Sequence, residues 1–328
     1  MSIRVSELPS ITNVLPTSLL TIVQAGVTNK AQVQDVLTPL SYNFPATGRL
    51  SVSSTAPVFN GTGASLYYYP YSGSTLALKT GSSWYLRNFT NSGTVIPVVT
   101  GGTIASTIYD VYAYWTGTAV ALELSTWISD SARNNSVVAD PATGILVKSG
   151  DATRRFLGAV RTNSNNQFVN TPAQRFVWNY YNQVAQNLFW VYTGSSYNLA
   201  GGTTYRQVGG DTNAKIEVIN GSPLAPDSLI VQANASREGN PSVANYIKYY
   251  LALNSSREGR TCQSVSTAFM TGIGAFVESN VSCLKNYEIT PGYVSIALEE
   301  AEGTLSGWYS QSISDSSFAP RISAQHLA

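Results

Sequence analysis

The side chains in this chain that could perform acid–base, nucleophilic or metal chemistry are few and far apart. The only histidine is His326, and no Gly-X-Ser-X-Gly sequence offers a serine nucleophile that could work with it. One histidine and two separated cysteines, Cys262 and Cys283, are too few for a zinc site. No Gly-rich phosphate loop or dinucleotide fingerprint is present. The sequence therefore predicts a protein that is not an enzyme and that holds no metal or cofactor.

Paired carboxylates are the one catalytic arrangement that leaves no local signature, because folding can bring together two acids from distant positions. The acids considered for glycan cleavage are Asp110, Glu123, Asp151, Asp211, Glu217, Glu238, Glu288, Glu299 and Glu300. A turn, a strand end or a solvated surface explains each of them equally well. Hydrolysis is the less favoured interpretation.

The densest grouping of functional side chains lies between residues 150 and 188. Its members are Arg154, Arg155, Arg161, Arg175, Trp178, Tyr180 and Tyr181. Guanidinium groups pair with carboxylates such as Asp151, or stack on aromatic rings such as those of Trp178 and Tyr180. This cluster is thin for a phosphate or acid receptor. We therefore predict a structural joint between β domains.

A second group of aromatic residues, Tyr67, Tyr69, Trp84 and Trp115, lies in a strand-rich part of the chain. Side chains alternate between the two faces of a strand, so some of these rings must leave the core. Exposed tyrosine and tryptophan rings stack on sugars and also anchor protein interfaces. We favour half-buried β surface or a subunit contact, with a host surface glycan as the other candidate partner.

The composition indicates the elements that position these groups. Of 328 residues, 11% are charged and 43% are hydrophobic, and the net charge is +1. A net charge this small lacks the excess of positive charge that nucleic-acid binding requires, and no apolar run is long enough for membrane insertion. Polar positions are mainly Ser, Thr, Asn and Gly, which is typical of strands and turns. The predicted fold class is mainly β, with a small N-terminal docking module and two antiparallel sandwich or jelly-roll-like domains.

Turn residues and strand-length segments divide the chain into four parts. Residues 1–44 form a short attachment module with a strand at Leu19–Gln24, too small to bury much apolar area alone. Residues 45–135 form an antiparallel β domain, 136–188 a connecting block, and 189–328 a C-terminal β-sandwich.

One short helix is predicted in the connecting block, at about residues 171–186. Thr171 would be its N-cap and Pro172 its first residue. The apolar residues that follow at helical spacing are Phe176, Val177, Tyr180, Tyr181 and Val184.

Asn-X-Ser/Thr triplets and cysteines are features that secreted proteins use for glycosylation and disulfide bonds, and this chain contains both. Asn-X-Ser/Thr triplets occur at Asn60, Asn88, Asn134, Asn234, Asn254 and Asn280. In a chain this rich in Asn, Ser and Thr such triplets arise by chance, and the first residues lack the uninterrupted apolar segment of a signal peptide. Whether the two cysteines pair stays open, with reduced thiols favoured.

Several segments carry a resemblance to a known family. The sequence GILVKSGDATRRFLGAVRT, followed by RFVWNYYNQV, resembles a signature of structural proteins of tailed bacteriophages and prophages. IYDVYAYWTGTAVALELSTWISDSAR is similar to the block that precedes it, and GWYSQSISDSSFAPRISA to the closing strands. SELPSITNVLPTSLLTIVQAGVTNKAQVQDVL is similar to the attachment module of phage fibres and tailspikes.

The resemblance implies a virion protein, assembled in the host cytoplasm as a homotrimer and bound to other virion proteins through residues 1–44. The leading hypothesis is a tail fibre or short appendage whose distal domain binds a receptor. A second is a capsid decoration protein or head fibre bound to the major capsid protein. A third, a glycan-degrading tailspike, is disfavoured because the chain has no fixed-period repeat of the kind a long β-helix needs.

Overall fold

The protein is built almost entirely from β-strands and turns in a computed structural model. The structure describes residues 19–24, 27–32, 46–89, 103–194, 196–199, 205–224, 226–239, 245–254, 264–268, 277–302, 309–312 and 320–327. No helix of seven or more residues occurs among them, and a 3₁₀ turn spans Val208–Gly210. The predicted mainly-β fold class is confirmed. No helix in this part of the chain is long and apolar enough to cross a membrane.

The described part of the chain contains 27 strands, β1 to β27 in chain order. The first are β1 (Leu19–Gln24), β2 (Val27–Gln32), β3 (Gly48–Ser51), β4 (Gly61–Gly63), β5 (Tyr67–Pro70), β6 (Thr75–Thr80), β7 (Ser83–Asn88), β8 (Ile108–Trp115), β9 (Val120–Ser129), β10 (Ala132–Arg133), β11 (Val137–Ala139), β12 (Leu146–Lys148) and β13 (Asp151–Arg161). The others are β14 (Phe168–Asn170), β15 (Gln174–Arg175), β16 (Val177–Asn179), β17 (Ala185–Val191), β18 (Ser196–Leu199), β19 (Arg206–Gln207), β20 (Lys215–Asn220), β21 (Asp227–Gly239), β22 (Asn245–Leu253), β23 (Ser264–Ala268), β24 (Val277–Ile289), β25 (Gly292–Glu302), β26 (Tyr309–Ser312) and β27 (Arg321–Leu327).

These strands form three larger sheets and four two-stranded pairs. One sheet has the order β10-β9-β8-β13-β12-β11, with β16 beside β13. A second has the order β23-β22-β25-β20-β15-β14-β4, with β19 beside β25, and a third is β17-β27-β21-β24. The pairs are β1-β2, β3-β5, β6-β7 and β18-β26. Pairing is antiparallel throughout, except between β15 and β20.

The amino-terminal strands form a hairpin, in which Leu19 lies opposite Gln32 and Gln24 opposite Val27. The predicted strand at Leu19–Gln24 is therefore confirmed, while the other residues of the 1–44 module lie outside the described part. Cys262 also lies outside it, and Cys283 lies on β24 opposite Ala233.

Strand β13 is the centre of the fold, because its second half is buried on both faces. Phe156 and Ala159 pack into one apolar cluster, while Leu157 and Val160 pack into another. A continuous apolar run, rather than an alternating one, is what such a strand requires. Gly158 lies between them at a register shift, where a Cβ atom would overlap the carbonyl oxygen of Trp178.

The C-terminal part is a two-layer sandwich. The second and third sheets bury one apolar cluster between them, with β20 and β25 on one side and β17, β21 and β27 on the other. Its members include Ile216 and Ile296 from the first layer, and Leu188, Val231 and Ile322 from the second.

The predicted helix at about 171–186 is wrong. Thr171 and Gln174 close a tight turn through two main-chain hydrogen bonds, and β15, β16 and the start of β17 occupy the remaining length. Phe176 and Trp178 point into one cluster and Val177 into another, which is the two-residue period of a strand.

Strand pairing crosses the predicted domain boundaries. Strand β13 pairs with β8 from the 45–135 part, and β15 pairs with β20 from the 189–328 part. The boundaries stay predictions, but the connecting block contributes strands to sheets that extend into both of its neighbours.

Candidate functional site

The residues predicted as a joint occupy several positions around β13, β15 and β16. Arg155 is the most central of them, 1% exposed. Its Nη1 donates a hydrogen bond of 3.0 Å to the carbonyl oxygen of Ala77, and its guanidinium lies 4.8 Å from the ring centre of Tyr181. The side chain thus ties β13 to β6, and its ring partner is Tyr181 rather than the predicted Trp178 or Tyr180.

Two asparagines outside the predicted site residues, Asn179 and Asn182, hold the segment 46–50. Asn179 takes the place of a strand partner for Leu50, because its Oδ1 accepts from the Leu50 N–H at 2.6 Å and its Nδ2 donates to the Leu50 carbonyl at 3.4 Å. Asn182 donates to the carbonyls of Ala46 and Gly48, at 2.6 and 3.1 Å. We call these two residues the asparagine clamp.

A buried arginine, Arg49, also contacts the asparagine clamp. Arg49 is 1% exposed, and its Nη1 donates to the main-chain carbonyl of Asn182. Burial lowers the pKa of Arg49 to about 10. Asn182 has a positive φ of 53°, a conformation that asparagine tolerates better than most residues.

Arg175 joins three segments on the other side of the block. Its Nη1 donates to Oδ1 of Asn60 at 2.5 Å, and its Nε and Nη2 donate to the carbonyl of Asn187 at 3.1 and 2.7 Å. The neighbouring Gln174 donates to Glu217 at 2.6 Å. Strand β15 is therefore fixed to the loop before β4, to β17 and to β20.

Arg161 connects β13 to the C-terminal sandwich. Its guanidinium lies 4.0 Å from the ring centre of Tyr293 and 5.3 Å from that of Phe176. Its Nε lies 3.4 Å from a carboxylate oxygen of Asp130, whose carbonyl in turn accepts from the Tyr293 N–H at 2.8 Å. A side chain at Gly292 would overlap that carbonyl.

Arg154, by contrast, lies on a half-exposed sheet face. Its Nε contacts Glu123 at 2.6 Å, and Lys148 contacts the other oxygen of the same carboxylate at 2.6 Å. The guanidinium also lies 3.9 Å from the ring centre of Tyr114 and 3.6 Å from the predicted partner Asp151. Burial raises the pKa of Glu123, but the two cations outweigh it and lower the pKa overall.

The aromatic members of the joint form a connected cluster. Trp178 is buried, with its ring 6.2 Å from that of Tyr180, which lies 5.9 Å from Phe156 and 4.9 Å from Tyr181. Edge and tilted contacts of this kind favour a fixed ring arrangement. Of the seven predicted joint residues, six therefore belong to buried or half-buried contacts between elements, and Arg154 belongs to a surface ion-pair network.

The second predicted group does not form an open aromatic platform. Trp84 is only 2% exposed and packs with Ala77 and Val147. Trp115 is half-buried, and the Arg87 guanidinium lies 4.2 Å from its ring centre. Tyr67 and Tyr69 are half-exposed on β5. A sugar could therefore reach Tyr67, Tyr69 and Trp115 more readily than Trp84.

The buried carboxylates are used in ion pairs. Asp110 on β8 contacts Arg133 at 3.0 Å. Glu217 on β20 contacts Lys215 at 2.9 Å, and Glu300 on β25 contacts Arg206 at 3.1 Å. Burial raises the pKa of Asp110 to about 6, although Arg133 opposes the shift. Burial also raises the pKa of Glu217, but hydrogen bonds from Tyr293, Gln174 and Lys215 lower it overall. The described residues contain no group of three or more His, Cys, Asp or Glu that could hold a metal ion.

His326 lies near the end of β27, 1% exposed and opposite Gln186 of β17. Its Nε2 is 3.7 Å from a carboxylate oxygen of Asp227. Burial lowers the pKa of His326 to about 4; Asp227 opposes the shift and Arg175 adds to it. The imidazole is therefore neutral at pH 7.

Comparisons with known proteins do not identify a family. No protein-family model and no curated protein matches the chain. The similar solved structures include the insecticidal delta-endotoxin Cry8Ea1 of Bacillus thuringiensis, at 9% identity and a TM-score of 0.22, over 95% of this chain and 60% of that one. A structure of the infectious bursal disease virus Gx strain is 12% identical over 86% of this chain and 75% of that one, with a TM-score of 0.21. A Cry1Da tryptic core variant of Bacillus thuringiensis is 10% identical over 79% and 47%, with a TM-score of 0.21. Likeness at these TM-scores carries no argument about function.

Proposed function

We propose that this chain is a non-enzymatic structural protein of a tailed-phage virion, a homotrimeric tail fibre or short appendage attached through residues 1–44. The observation that carries the structural role is the use of buried polar groups. Arg155, Arg175 and Asn179 bond to the main chain or amide groups of distant segments. They hold strands together, as a rigid scaffold requires. The phage assignment rests on the sequence resemblance.

One exposed sheet face supports self-association. Across β17, β27, β21 and β24, one row of paired residues is formed by Phe189, Ser323, Gln232 and Leu284. Ile230 lies on the same face of β21, two residues before Gln232. Phe189, Ile230 and Leu284 are 49%, 57% and 68% exposed. Apolar side chains grouped on a sheet face are typical of protein contact surfaces. We assign this face to the contact between subunits.

The mass of the purified full-length protein tests the trimer. Three chains of 35.1 kDa give about 105 kDa by light scattering. A stable monomer would contradict the proposal. Phe189→Lys and Ile230→Lys should each lower the mass towards one chain, while Ile128→Lys, at a 72% exposed position on β9, should leave it unchanged. If all three variants keep the wild-type mass, the contact lies elsewhere.

Electron microscopy of virions that carry a tagged copy of the chain tests its location. Density in a few copies at the tail is the expected result. Many copies spread over the capsid lattice would instead establish a capsid decoration protein. Incubation of the purified protein with host polysaccharide tests for an enzyme. If the polysaccharide is shortened, and a variant with one carboxylate replaced no longer shortens it, the protein is a tailspike and the non-enzymatic assignment is wrong.

A further inference from the structure

Arg175 is a buried cation, and its hydrogen-bond partners are neutral. The side chain is 4% exposed and bonds to the Asn60 carboxamide and the Asn187 carbonyl. None of the ion pairs found among the described residues includes it, and burial lowers its pKa to about 10. A buried guanidinium that has no carboxylate partner carries an uncompensated desolvation cost, and a negative charge beside it would lower that cost.

The partner that could acquire this charge is Asn60, because the next residue is Gly61. In an Asn–Gly pair, the glycine nitrogen can attack the asparagine Cγ without obstruction from a side chain. Asn60 is exposed, and Gly61 begins β4, a three-residue strand at the end of its sheet in the described part of the chain. The Arg175 Nη1 lies 2.5 Å from the Asn60 Oδ1 and polarises the carbonyl under attack. Donors at this position also stabilise the oxygen anion that forms there.

We propose that Asn60 is a self-modification site, at which the carboxamide deamidates with the assistance of Arg175. The Gly61 nitrogen forms a bond to the Asn60 Cγ, the bond from Cγ to the amide nitrogen breaks, and the proton from Gly61 leaves with that nitrogen as ammonia. Water then opens the resulting succinimide to aspartate or isoaspartate. The aspartate product places a carboxylate directly on Arg175. This inference holds whichever assembly the chain joins.

A second Asn–Gly pair in the same chain is a matched internal control. Asn220 precedes Gly221 but is 0% exposed. Its Nδ2 donates to the Ile289 carbonyl at 2.8 Å, and its Oδ1 accepts from the Ser222 N–H at 2.8 Å. Among the described residues no cation is hydrogen-bonded to its carboxamide; the nearby Arg133 donates instead to the main-chain carbonyls of Gly221 and Ser222, at 2.6 and 3.4 Å. The native fold should protect Asn220 and promote the reaction at Asn60.

Peptide mass spectrometry of the full-length protein, incubated natively or unfolded in guanidinium chloride, measures both rates. We expect Asn60 to react about tenfold faster in the native than in the unfolded protein, and Asn220 to react more slowly when native. A native rate at Asn60 equal to or below the unfolded rate would overturn the proposal. An asparagine that is merely exposed reacts no faster in the native protein than in the unfolded chain, so only assistance by the fold can make the native rate higher.

Variants separate the role of Arg175 from that of the fold. Arg175→Gln should bring the native Asn60 rate down to the unfolded rate, and Arg175→Lys should keep part of the acceleration. Arg321→Gln, at an exposed arginine, should change nothing. If Arg175→Gln fails to fold, the native and unfolded rates and Arg175→Lys still test the assistance, and Asn60→Asp tests the product. It should raise the thermal midpoint above that of wild type, and a lower midpoint would show that Arg175 does not accept the product carboxylate.

Discussion

Replacement of Asn179 by alanine should destabilise the protein more than any surface asparagine change. The Asn179 carboxamide serves both polar main-chain groups of Leu50, and Asn179 and Leu50 are 2% and 1% exposed. Alanine would leave a buried N–H and a buried carbonyl without partners. At 1–3 kcal/mol for each group, and less for the longer bond, the expected loss is about 2–4 kcal/mol of unfolding free energy.

Guanidinium denaturation followed by tryptophan fluorescence measures this loss, with all proteins at one concentration so that association does not change. Asn165→Ala is the matched control, because Asn165 is exposed in the turn before β14. The control should stay within about 0.5 kcal/mol of wild type. If Asn179→Ala also stays within that range, the carboxamide does not act as a strand partner and the asparagine clamp is refuted.

Three further predictions concern the core and the buried titratable groups. Gly158→Ala should cost about 3 kcal/mol or prevent soluble expression, because a Cβ would overlap the Trp178 carbonyl; unchanged stability would contradict this close approach. The folded pKa of Asp110, about 6, lies above the unfolded value, so its contribution to stability falls by about 2 kcal/mol as pH rises from 4 to 6. Asp110→Asn should remove this contribution, so that denaturation curves measured across that range show only the opposite dependence that comes from His326. The folded pKa of His326, about 4, lies below the unfolded value of 6.5, so stability is lost as pH falls from 6.5 to 4, by about 3 kcal/mol. The two contributions oppose each other, so the stability of wild type should vary little between pH 4 and 6. His326→Gln should remove the His326 contribution and leave a stability that falls as pH rises, because only Asp110 then remains.

Strands bounded by turn residues were predictable, because alternation and turn chemistry are local. The segment after Thr171 was not. Its apolar residues satisfy helical spacing, yet Phe176 and Trp178 enter one core and Val177 another. Two cores on opposite sides of one strand make every position apolar, which removes the alternation that distinguishes a strand from a helix.

The residues predicted as a joint lie on or next to β13, β15 and β16, and their role as a joint stays a prediction; Asn179 and Asn182, which bond to the segment 46–50, were not predicted. Arginine and aromatic residues signal contacts by their type, whereas Asn179 and Asn182 resemble ordinary turn asparagines in the sequence. Their partners are main-chain groups of residues 46–50, and every sequence carries such groups at every position. Only the fold shows which of them lack a strand neighbour.

The asparagine clamp has a consequence for how the chain reaches its folded state during translation. The bond from Leu50 to Asn179 joins residues 129 positions apart. The ribosome must therefore add well over a hundred residues after β3 before β3 can complete its contacts. Strand β5, which follows β3 closely in the chain, can pair with it and help to bury Leu50 beforehand, but the main-chain groups of Leu50 stay without the Asn179 carboxamide until then. The last contacts of β3 therefore form only after Asn179 and Asn182 have emerged from the ribosome, well after β3 itself.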